Sequence, residues 1–154
     1  MKKLFIVMCM MLVSATSFAQ TDKGDVSFGA HFNYIIDSPH NLGLGANIGY
    51  MLMDHVRGVG EFDYYLKKDG VSCWNIEGNL EYLFHVGDSF TVYPLAGLNL
   101  MAWTGDDTDT RLGLDLGGGV EYAITSNFSL KGEYVYKTQG SGFSILKAGI
   151  VLHF

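Results

Sequence analysis

Charged side chains recur at every second position along several otherwise apolar stretches of the sequence. If these stretches are strands of a closed barrel, one set of charges points inward. That set is Arg57, Glu61, Asp63, Lys67, Glu77, Glu81, Asp115, Glu121, Lys131, Glu133, Lys137 and Lys147. Because buried charges must be paired, we expect an ion network at the centre of the barrel. The predicted members of this network are Glu61, Glu77, Glu121, Lys131, Glu133 and Lys147.

An interior ion network could serve two functions. It could be a salt-bridged plug that stabilises the interior, or it could line a polar pore or a proton path. A barrel of about eight strands is only just wide enough for its own side chains, so the plug is favoured. Acidic side chains outnumber basic ones in the inward set. This surplus predicts that some carboxylates are protonated or that the ends of the network are wet.

The weak candidates for a metal site are three closely spaced carboxylates, Asp106, Asp107 and Asp109. Closely spaced carboxylates suit a hard cation such as Ca²⁺. These three lack the full EF-hand spacing and its distal Glu, so an acidic, solvated loop is the favoured interpretation. The histidines, which follow no metal-binding pattern, are His31, His40, His55, His85 and His153. We therefore predict neither a bound metal ion nor a cofactor.

Three polar residues near one expected rim of the barrel, His40, Ser141 and Ser144, could belong to a lipid-modifying enzyme. Such an enzyme needs a nucleophile or base at the membrane rim, with an orienting partner beside it. Nothing in the spacing of the three residues marks a catalytic triad. We therefore predict that the protein is not an enzyme, and lipid modification remains the second alternative function.

The stretch 143–154 indicates the architecture that would position these side chains. Every second residue from Leu146 to Phe154 is apolar, whereas Lys147 and His153 fall on the other face. This alternation predicts a strand with one apolar face. A long strand with a free edge would template aggregation, whereas pairing with the first strand would close a barrel. A barrel with an apolar exterior belongs in a membrane.

Earlier stretches show the same alternation, separated by turn residues. The eight predicted strands span residues 25–36, 42–52, 56–67, 72–85, 90–103, 111–124, 128–138 and 143–154. A strand of about 11 residues, tilted by about 40°, rises roughly 28 Å and covers an apolar band of about 25 Å. Pro94 cannot donate a ladder hydrogen bond, so we predict a bulge or a local break there. The predicted fold is an all-β, eight-stranded, antiparallel up-and-down transmembrane barrel.

The beginning of the sequence predicts a secretory signal peptide over residues 1–19. Two lysines precede an apolar run, and small residues lead to a cleavage site after Ala19. The barrel domain then occupies residues 20–154. Cleavage would change the formal net charge from −6 to −8 (−6 − 2), which argues against nucleic acid as a partner. Cys73 would be alone in the mature chain, so no internal disulfide is expected.

Alternation does not decide whether the apolar faces point outward, because the inverted arrangement describes a lipocalin-like soluble barrel. The polar faces are rich in small residues with scattered charges, whereas a soluble exterior should be dense in charge. Aromatic residues would also gather at two rims, as the two interfaces of a bilayer select. Those at one rim are Phe28, Tyr50, Phe84, Phe90, Tyr122, Phe128 and Phe154, and those at the other are Tyr34, Tyr64, Trp74, Tyr136 and Phe143. The membrane barrel is therefore favoured.

These features together resemble the small outer-membrane β-barrel domain family, of the OmpX, OmpA and opacity-protein type. The resemblance rests on the signal peptide, the eight alternating stretches, the run 93–98 and the aromatic C-terminus. In that run Pro94 and Gly97 fit the family's pattern well, whereas Leu95 stands where the family has an aromatic residue. The resemblance implies that Phe154 is the signal read by the barrel-assembly machinery.

The resemblance also implies a location and a role. Short turns of such barrels face the periplasm and longer loops face outward. The tighter predicted connections are residues 53–55, 86–89 and 125–127, and the longer ones are 37–41, 68–71, 104–110 and 139–142. Both termini should then be periplasmic. We expect a monomer in outer-membrane lipid, with a packed polar lumen and a non-enzymatic structural or surface-interaction role; a narrow porin-like channel for ions or small solutes is the alternative.

Overall fold

The computed structural model describes residues 23–37 and 40–154, so the predicted signal peptide lies outside the described residues. They form nine strand segments, which are β1 (Val26–Ile35), β2 (Asn41–Met53), β3 (Val56–Lys68), β4 (Val71–Tyr82), β5 (Phe84–Val86), β6 (Phe90–Thr104), β7 (Thr108–Ala123), β8 (Phe128–Lys137) and β9 (Phe143–His153). Leu83 separates β4 from β5, and both pair with β6, so together they make one of eight spanning strands. No helix in the described part of the chain is long and apolar enough to cross a membrane.

Antiparallel pairing of β1 with β9 closes the sheet into a barrel. The pairing runs from Ser27↔His153 to Ile35↔Ile145. Each remaining spanning strand pairs with its neighbours in sequence, and β4 pairs with β6. The predicted eight-stranded, antiparallel up-and-down barrel is therefore confirmed.

The register of the strands sets their tilt. The stagger is found by starting at one residue of β9 and moving to the paired residue on each neighbouring strand in turn. After one circuit of the barrel the path reaches β9 again, at a different residue. Its successive members are His153, Ser27, Gly49, Val59, Asn79, Gly97, Asp115, Lys137 and Phe143. The return lies ten residues earlier on the strand (153 − 143 = 10). For eight strands about 4.8 Å apart, this stagger corresponds to a tilt of about 40°.

Side chains alternate between an apolar exterior and a polar interior along the long strands. Large apolar side chains are exposed on the outer surface, where Phe32 and Leu112 are 69% and 70% exposed. Charged side chains lie inside, and Asp63, Asp115 and Lys137 are fully buried. A soluble barrel would carry its charges outside and its apolar side chains within. The prediction of an apolar exterior is therefore confirmed.

Aromatic side chains lie toward both ends of this exterior. At the end where the described residues begin and end, the Phe28 and Phe154 ring centroids are 5.7 Å apart, and those of Phe90 and Tyr122 are 4.9 Å apart. The exposed tyrosines near the opposite end are Tyr34, Tyr64, Tyr134 and Tyr136. Aromatic girdles at two levels match the two interfaces of a bilayer. Phe143 departs from the prediction, because its side chain packs against an apolar cluster inside the barrel.

The two ends of the barrel differ less in connection length than the sequence predicts. The end that holds Lys23 and Phe154 is here called the turn end, and its connections span residues 54–55, 87–89 and 124–127. The opposite end is called the loop end, and its connections span residues 36–40, 69–70, 105–107 and 138–142. The acidic loop is shorter than predicted, because pairing continues to Thr104↔Thr108. Asp69 and Gly70, with φ of 53° and 85°, form a two-residue hairpin turn, for which Asp-Gly is a favoured sequence.

Pro94 disturbs one of its two neighbouring strands. Its pairing with β7 is unbroken. On the other side the ladder stops at Glu81↔Leu95 and resumes at Phe84↔Val92 in the same register. The irregularity predicted at Pro94 is therefore a local break and not a bulge, and it lies opposite Pro94, whose missing N–H removes one ladder bond. It also divides β4 from β5.

Inward glycines make room for large polar side chains in this narrow interior. Gly149, for example, pairs with His31 on one side and with Lys131 on the other. A Cβ atom at Gly149 would collide with the Ala30 carbonyl and the His31 side chain. The outward Gly78, by contrast, has nothing within 4 Å of such an atom. The interior beside Gly149 is therefore fully packed and leaves no room for a side chain there.

Adding a methyl group at Gly149 should destabilise the barrel, whereas the same change at Gly78 should not. Gly149→Ala overfills a packed interior, which costs about 1–3 kcal/mol. Gly78→Ala places its methyl group on the open outer face and should change the free energy of unfolding by less than about 0.5 kcal/mol. Urea unfolding of both variants in detergent micelles measures the difference. Equal stability would show that the interior has spare room beside His31.

Candidate functional site

The inward charges form two ion clusters at different heights in the barrel. The loop-side cluster consists of Glu61, Asp63, Glu77, Asp115, Lys137 and Lys147, and the turn-side cluster consists of Arg57, Glu81, Glu121, Lys131 and Glu133. All of these side chains are buried. They lie inside because alternation places every second residue of a strand on the inner face.

Lys147 and Lys137 hold the loop-side cluster together. The Lys147 ammonium contacts Glu61 and lies 2.9 Å from Glu77 Oε1. The Lys137 ammonium lies 2.7 Å from the same Glu77 oxygen and 3.1 Å from Asp115 Oδ1. Glu77 thus bridges two lysines, and the cluster links β3, β4, β7, β8 and β9 across the interior.

Arg57 and Lys131 hold the turn-side cluster together in a similar way. The Arg57 guanidinium donates to Glu81 Oε2 at 2.6 Å and also to Glu121. The Lys131 ammonium lies 2.5 Å from Glu133 Oε1 and 3.4 Å from Glu81 Oε1. Glu81 is therefore the carboxylate shared by two cations in this cluster.

Tyr93 joins the turn-side cluster to apolar side chains inside the barrel. Its hydroxyl donates to Glu133 Oε1 at 2.7 Å. Arg57 Cζ and Lys131 Nζ each lie 5.5 Å from the centre of its ring, a distance at which the ring attracts a cation. The apolar residues clustered with Tyr93 are Met51, Leu83, Leu95 and Val135. The polar and apolar parts of the interior are thus packed as one unit.

An apolar layer fills the interior at the loop end. Its buried members are Tyr65, Cys73, Met101 and Ile145, against which Ile35, Trp103 and Phe143 pack. A cavity of about 640 Å³ opens between the loops and is lined in part by this layer. The cavity is therefore bounded from within by apolar side chains rather than by the loop-side cluster.

A second cavity, of about 400 Å³, opens at the turn end and reaches the turn-side cluster. Glu121, Ser129 and His153 line it together with Arg57. His153 Nε2 lies 3.4 Å from Glu121 Oε1 and 3.2 Å from Ser129 Oγ. A hydrolytic triad uses the two imidazole nitrogens separately, whereas both of these contacts go to one nitrogen. This trio therefore does not have the geometry of a catalytic triad.

The structure divides the six residues predicted for the ion network between the two clusters. Glu61, Glu77 and Lys147 belong to the loop-side cluster, and Glu121, Lys131 and Glu133 belong to the turn-side cluster. The inward residues that sequence analysis did not place at the centre, although they pair there, are Arg57, Asp63, Glu81, Asp115 and Lys137. Lys67, which was also expected inside, is exposed at the loop rim.

The residues considered for calcium binding lie on the surface of the loop end. Asp106 and Asp107 are exposed, and Asp109 pairs with Arg111 across 2.9 Å. Among the residues considered for catalysis, the Ser144 hydroxyl contacts the Tyr134 hydroxyl at 2.8 Å. The His40 ring stacks on Tyr34 at 5.9 Å between centroids, and Ser141 lines the loop-end cavity. The recorded contacts of these three residues do not join them into a triad.

Three side chains with metal-binding atoms meet in the loop-side cluster, where sequence patterns gave no signal. His31 Nε2 lies 2.8 Å from Asp63 Oδ1 and 3.2 Å from Glu61 Oε1. Gly45 stands between His31 and Asp63 in the strand register. Such a site would be indicated by an inward His and an inward Asp on the two strands that flank an inward Gly. This pattern cannot be recognised until the register of the three strands is known.

The fold and the packed interior define a small transmembrane β-barrel. The chain belongs to the outer membrane protein beta-barrel domain family, whose model matches residues 5–154. The protein is therefore a small outer-membrane β-barrel. The Phe154 N–H donates to the Val26 carbonyl at 2.9 Å and extends the closure; its role as an assembly signal remains a prediction.

Solved structures of outer-membrane proteins share this fold. The chain is 22% identical to the N-terminal β-barrel domain of Pseudomonas aeruginosa OprF, with a TM-score of 0.72 over 86% of this chain and 98% of that one. It is 21% identical to Neisserial surface protein A (TM-score 0.72, 84% and 96%). It is 14% identical to Ail, the attachment invasion locus protein of Yersinia pestis (TM-score 0.59, 86% and 99%). A search of curated proteins found no match.

Removing the Lys147 ammonium should destabilise the barrel strongly. Lys147→Met takes the shared cation away from Glu61 and Glu77, and breaking a buried ion pair costs about 3–5 kcal/mol. Adding Glu61→Gln should restore part of this loss, because one unpaired charge is removed. Urea unfolding in detergent measures the change.

Lys67→Met is the matched control, because Lys67 is exposed at the loop rim. It should change the free energy of unfolding by less than about 0.5 kcal/mol. Equal unfolding midpoints for the two Lys→Met variants would contradict a stabilising role of the loop-side cluster.

Proposed function

We propose that this outer-membrane barrel is a non-enzymatic protein of envelope structure or surface interaction, kept closed by its packed interior. The pairing of the interior cations carries this proposal. Lys137 and Arg57 each contact two carboxylates on other strands, and Lys147 contacts three. Lys131 contacts Glu81 on β4 and Glu133 on its own strand. A cation held by two or more partners resists displacement by a passing ion. The interior charges therefore act as cross-links between strands.

The apolar layer at the loop end supports the same proposal. Tyr65, Met101 and Ile145 are fully buried there, between the loop-side cluster and the outer loops. Apolar side chains in a narrow passage do not replace the hydration shell of an ion. The contacts proposed for the protein are lipids on its apolar exterior and the assembly machinery at Phe154. Because β1 pairs with β9, the described barrel has no free strand edge that another chain would have to cover. A monomer can therefore form the complete barrel.

The charge at the loop end limits which surface partners suit this protein. Ail has been solved in complex with a heparin analogue, sucrose octasulfate. Here the charged residues of the loop end are Asp37, Asp69, Asp106, Asp107 and Asp109 against Lys67, Lys68 and Arg111. Acids exceed bases, so a highly sulfated polyanion is disfavoured. A neutral or basic partner fits this end better.

Conductance in planar lipid bilayers tests the closed interior. Purified protein should give no stable single-channel openings, because the paired cations and the apolar layer block the passage. The alternative, a narrow channel, is favoured by the turn-end cavity of about 400 Å³ that reaches Arg57 and Glu121. Stable openings whose conductance changes in Arg57→Gln would support the channel and contradict the closed interior.

Cysteine labelling tests the proposed orientation, with both termini in the periplasm. Asp107→Cys at the loop end should react with a membrane-impermeant maleimide on intact cells. Asp88→Cys, at the turn end, should react after the outer membrane is permeabilised. Both variants are made with Cys73→Ala, because Cys73 lines the open loop-end cavity although it is only 5% exposed. The reverse pattern of labelling would show that the turn end faces outward.

A further inference from the structure

The loop-side cluster contains more buried negative charge than its lysines balance. Four carboxylates, from Glu61, Asp63, Glu77 and Asp115, face two ammonium groups, from Lys137 and Lys147. Two negative charges remain (4 − 2 = 2) unless His31 or a carboxyl group carries a proton. Unpaired charge in a low-dielectric interior is strongly unfavourable. The cluster is therefore neutralised either by protons on these groups or by a bound cation.

His31 faces two carboxylates of the cluster through one imidazole nitrogen. Its Nε2 lies 2.8 Å from Asp63 Oδ1 and 3.2 Å from Glu61 Oε1, and its Nδ1 lies 3.3 Å from Asn47 Nδ2. A proton on Nε2 adds one positive charge beside these carboxylates, whereas a divalent ion bound to Nε2 adds two.

Several buried polar atoms among the described residues of the same region have no hydrogen-bond partner, and the Tyr65 hydroxyl is one of them. Within residues 23–37 and 40–154, the buried amide and carboxylate oxygens that have no partner are Asn33 Oδ1, Asn75 Oδ1, Asn79 Oδ1, Asp115 Oδ2 and Gln139 Oε1. Asn33 and Asn75 both donate through Nδ2 to Asp63, at 2.7 and 3.1 Å. Their amide oxygens therefore lie beside the cluster. A group that brings both positive charge and O–H donors would satisfy these needs together.

We propose that a hydrated divalent transition-metal ion, with Zn²⁺ as the probe, binds between His31 Nε2, Glu61 Oε1 and Asp63 Oδ1. These three atoms all lie within 4.8 Å of one another, so small side-chain shifts bring them to zinc–ligand distances of about 2.0–2.2 Å. The ion cancels the two surplus charges, and its bound water donates to the neighbouring oxygens. An imidazole with two carboxylates favours a transition metal over Mg²⁺ or Ca²⁺.

Metal binding requires two local adjustments. Binding through Nε2 leaves the imidazole proton on Nδ1, and the Asn47 amide turns so that its oxygen accepts this proton, as a neighbouring acceptor usually does for a metal-bound histidine. The turned amide gives up its 3.4 Å contact with Glu61 Oε2. Lys147 releases Glu61 and keeps Glu77, which lies 2.9 Å from its ammonium. His31 and Asp63 are buried, so the ion would enter while the barrel folds.

The test is to refold the chain in detergent with equimolar ZnCl₂, wash it with EDTA and measure retained zinc by mass spectrometry. We expect about one zinc per folded chain, and at least a tenfold loss in His31→Gln, because one of three protein ligands is removed. The matched control is His153→Gln, which removes the inward imidazole of the turn end and should retain the metal. A change in gel migration on heating shows that each variant is folded.

A second control separates the interior from the acidic loop. Replacing Asp106, Asp107 and Asp109 together by Asn should leave zinc retention unchanged. Zinc lost with these three substitutions, but kept in His31→Gln, would place the ion at the surface and overturn the proposal. So would a wild-type protein that retains no zinc.

Zinc-edge X-ray absorption of the wild-type protein decides the question if His31→Gln does not fold. The proposed site requires one imidazole and oxygen ligands around the ion. A shell without imidazole, or one that contains sulfur from Cys73, would contradict the assignment.

Discussion

In a bilayer every backbone N–H and C=O group must find its partner within the protein, and the pairing of β1 with β9 meets this requirement. Closure also fixes the size of the interior. Eight strands with a stagger of ten residues enclose a space that side chains alone can fill. The inward residues must therefore pack against one another, and the charged ones must pair, since water has little access to them. The two ion clusters follow from this geometry.

The narrow interior also explains why glycine and charged residues share the inner face. Large inward side chains do pair on adjacent strands, as Glu61 and Glu77 do, and inward glycines at other positions leave room for the long side chains beside them. Gly45 separates His31 on β1 from Asp63 on β3, and the two side chains meet above it. The glycine thus permits contacts between strands that do not pair. Close packing and the convergence of ionisable groups have the same cause.

The sequence predicts the strands and their faces well, because a period of two is a local property of the chain. Pairing in the interior is not local, since it depends on register. Glu61 and Lys147 are 86 residues apart, and Arg57 and Glu121 are 64 apart; no spacing rule joins them. Phe143 was predicted at the outer rim because it is aromatic. It stands two residues from the buried Ile145 in β9, so the alternation of the strand places it on the inner face. At this residue the alternation predicts the position correctly and the aromatic character does not.

The two ion clusters have similar side chains but differ in how their surplus charge can be relieved. In the turn-side cluster, the cavity reaches Glu121 and His153, so solvent can screen a carboxylate and an imidazole can share its charge. Asp63 and Asp115 of the loop-side cluster are fully buried beneath an apolar layer, where screening is weak. Relief there must come from within: a proton on a carboxyl group, a proton on His31 or a bound cation. All three lie close together, because His31 Nε2 is 2.8 Å from Asp63 Oδ1 and 3.2 Å from Glu61 Oε1. Burial thus makes the acidic excess of the loop-side cluster depend on protons or a cation held inside the barrel, whereas solvent can relieve the excess of the turn-side cluster.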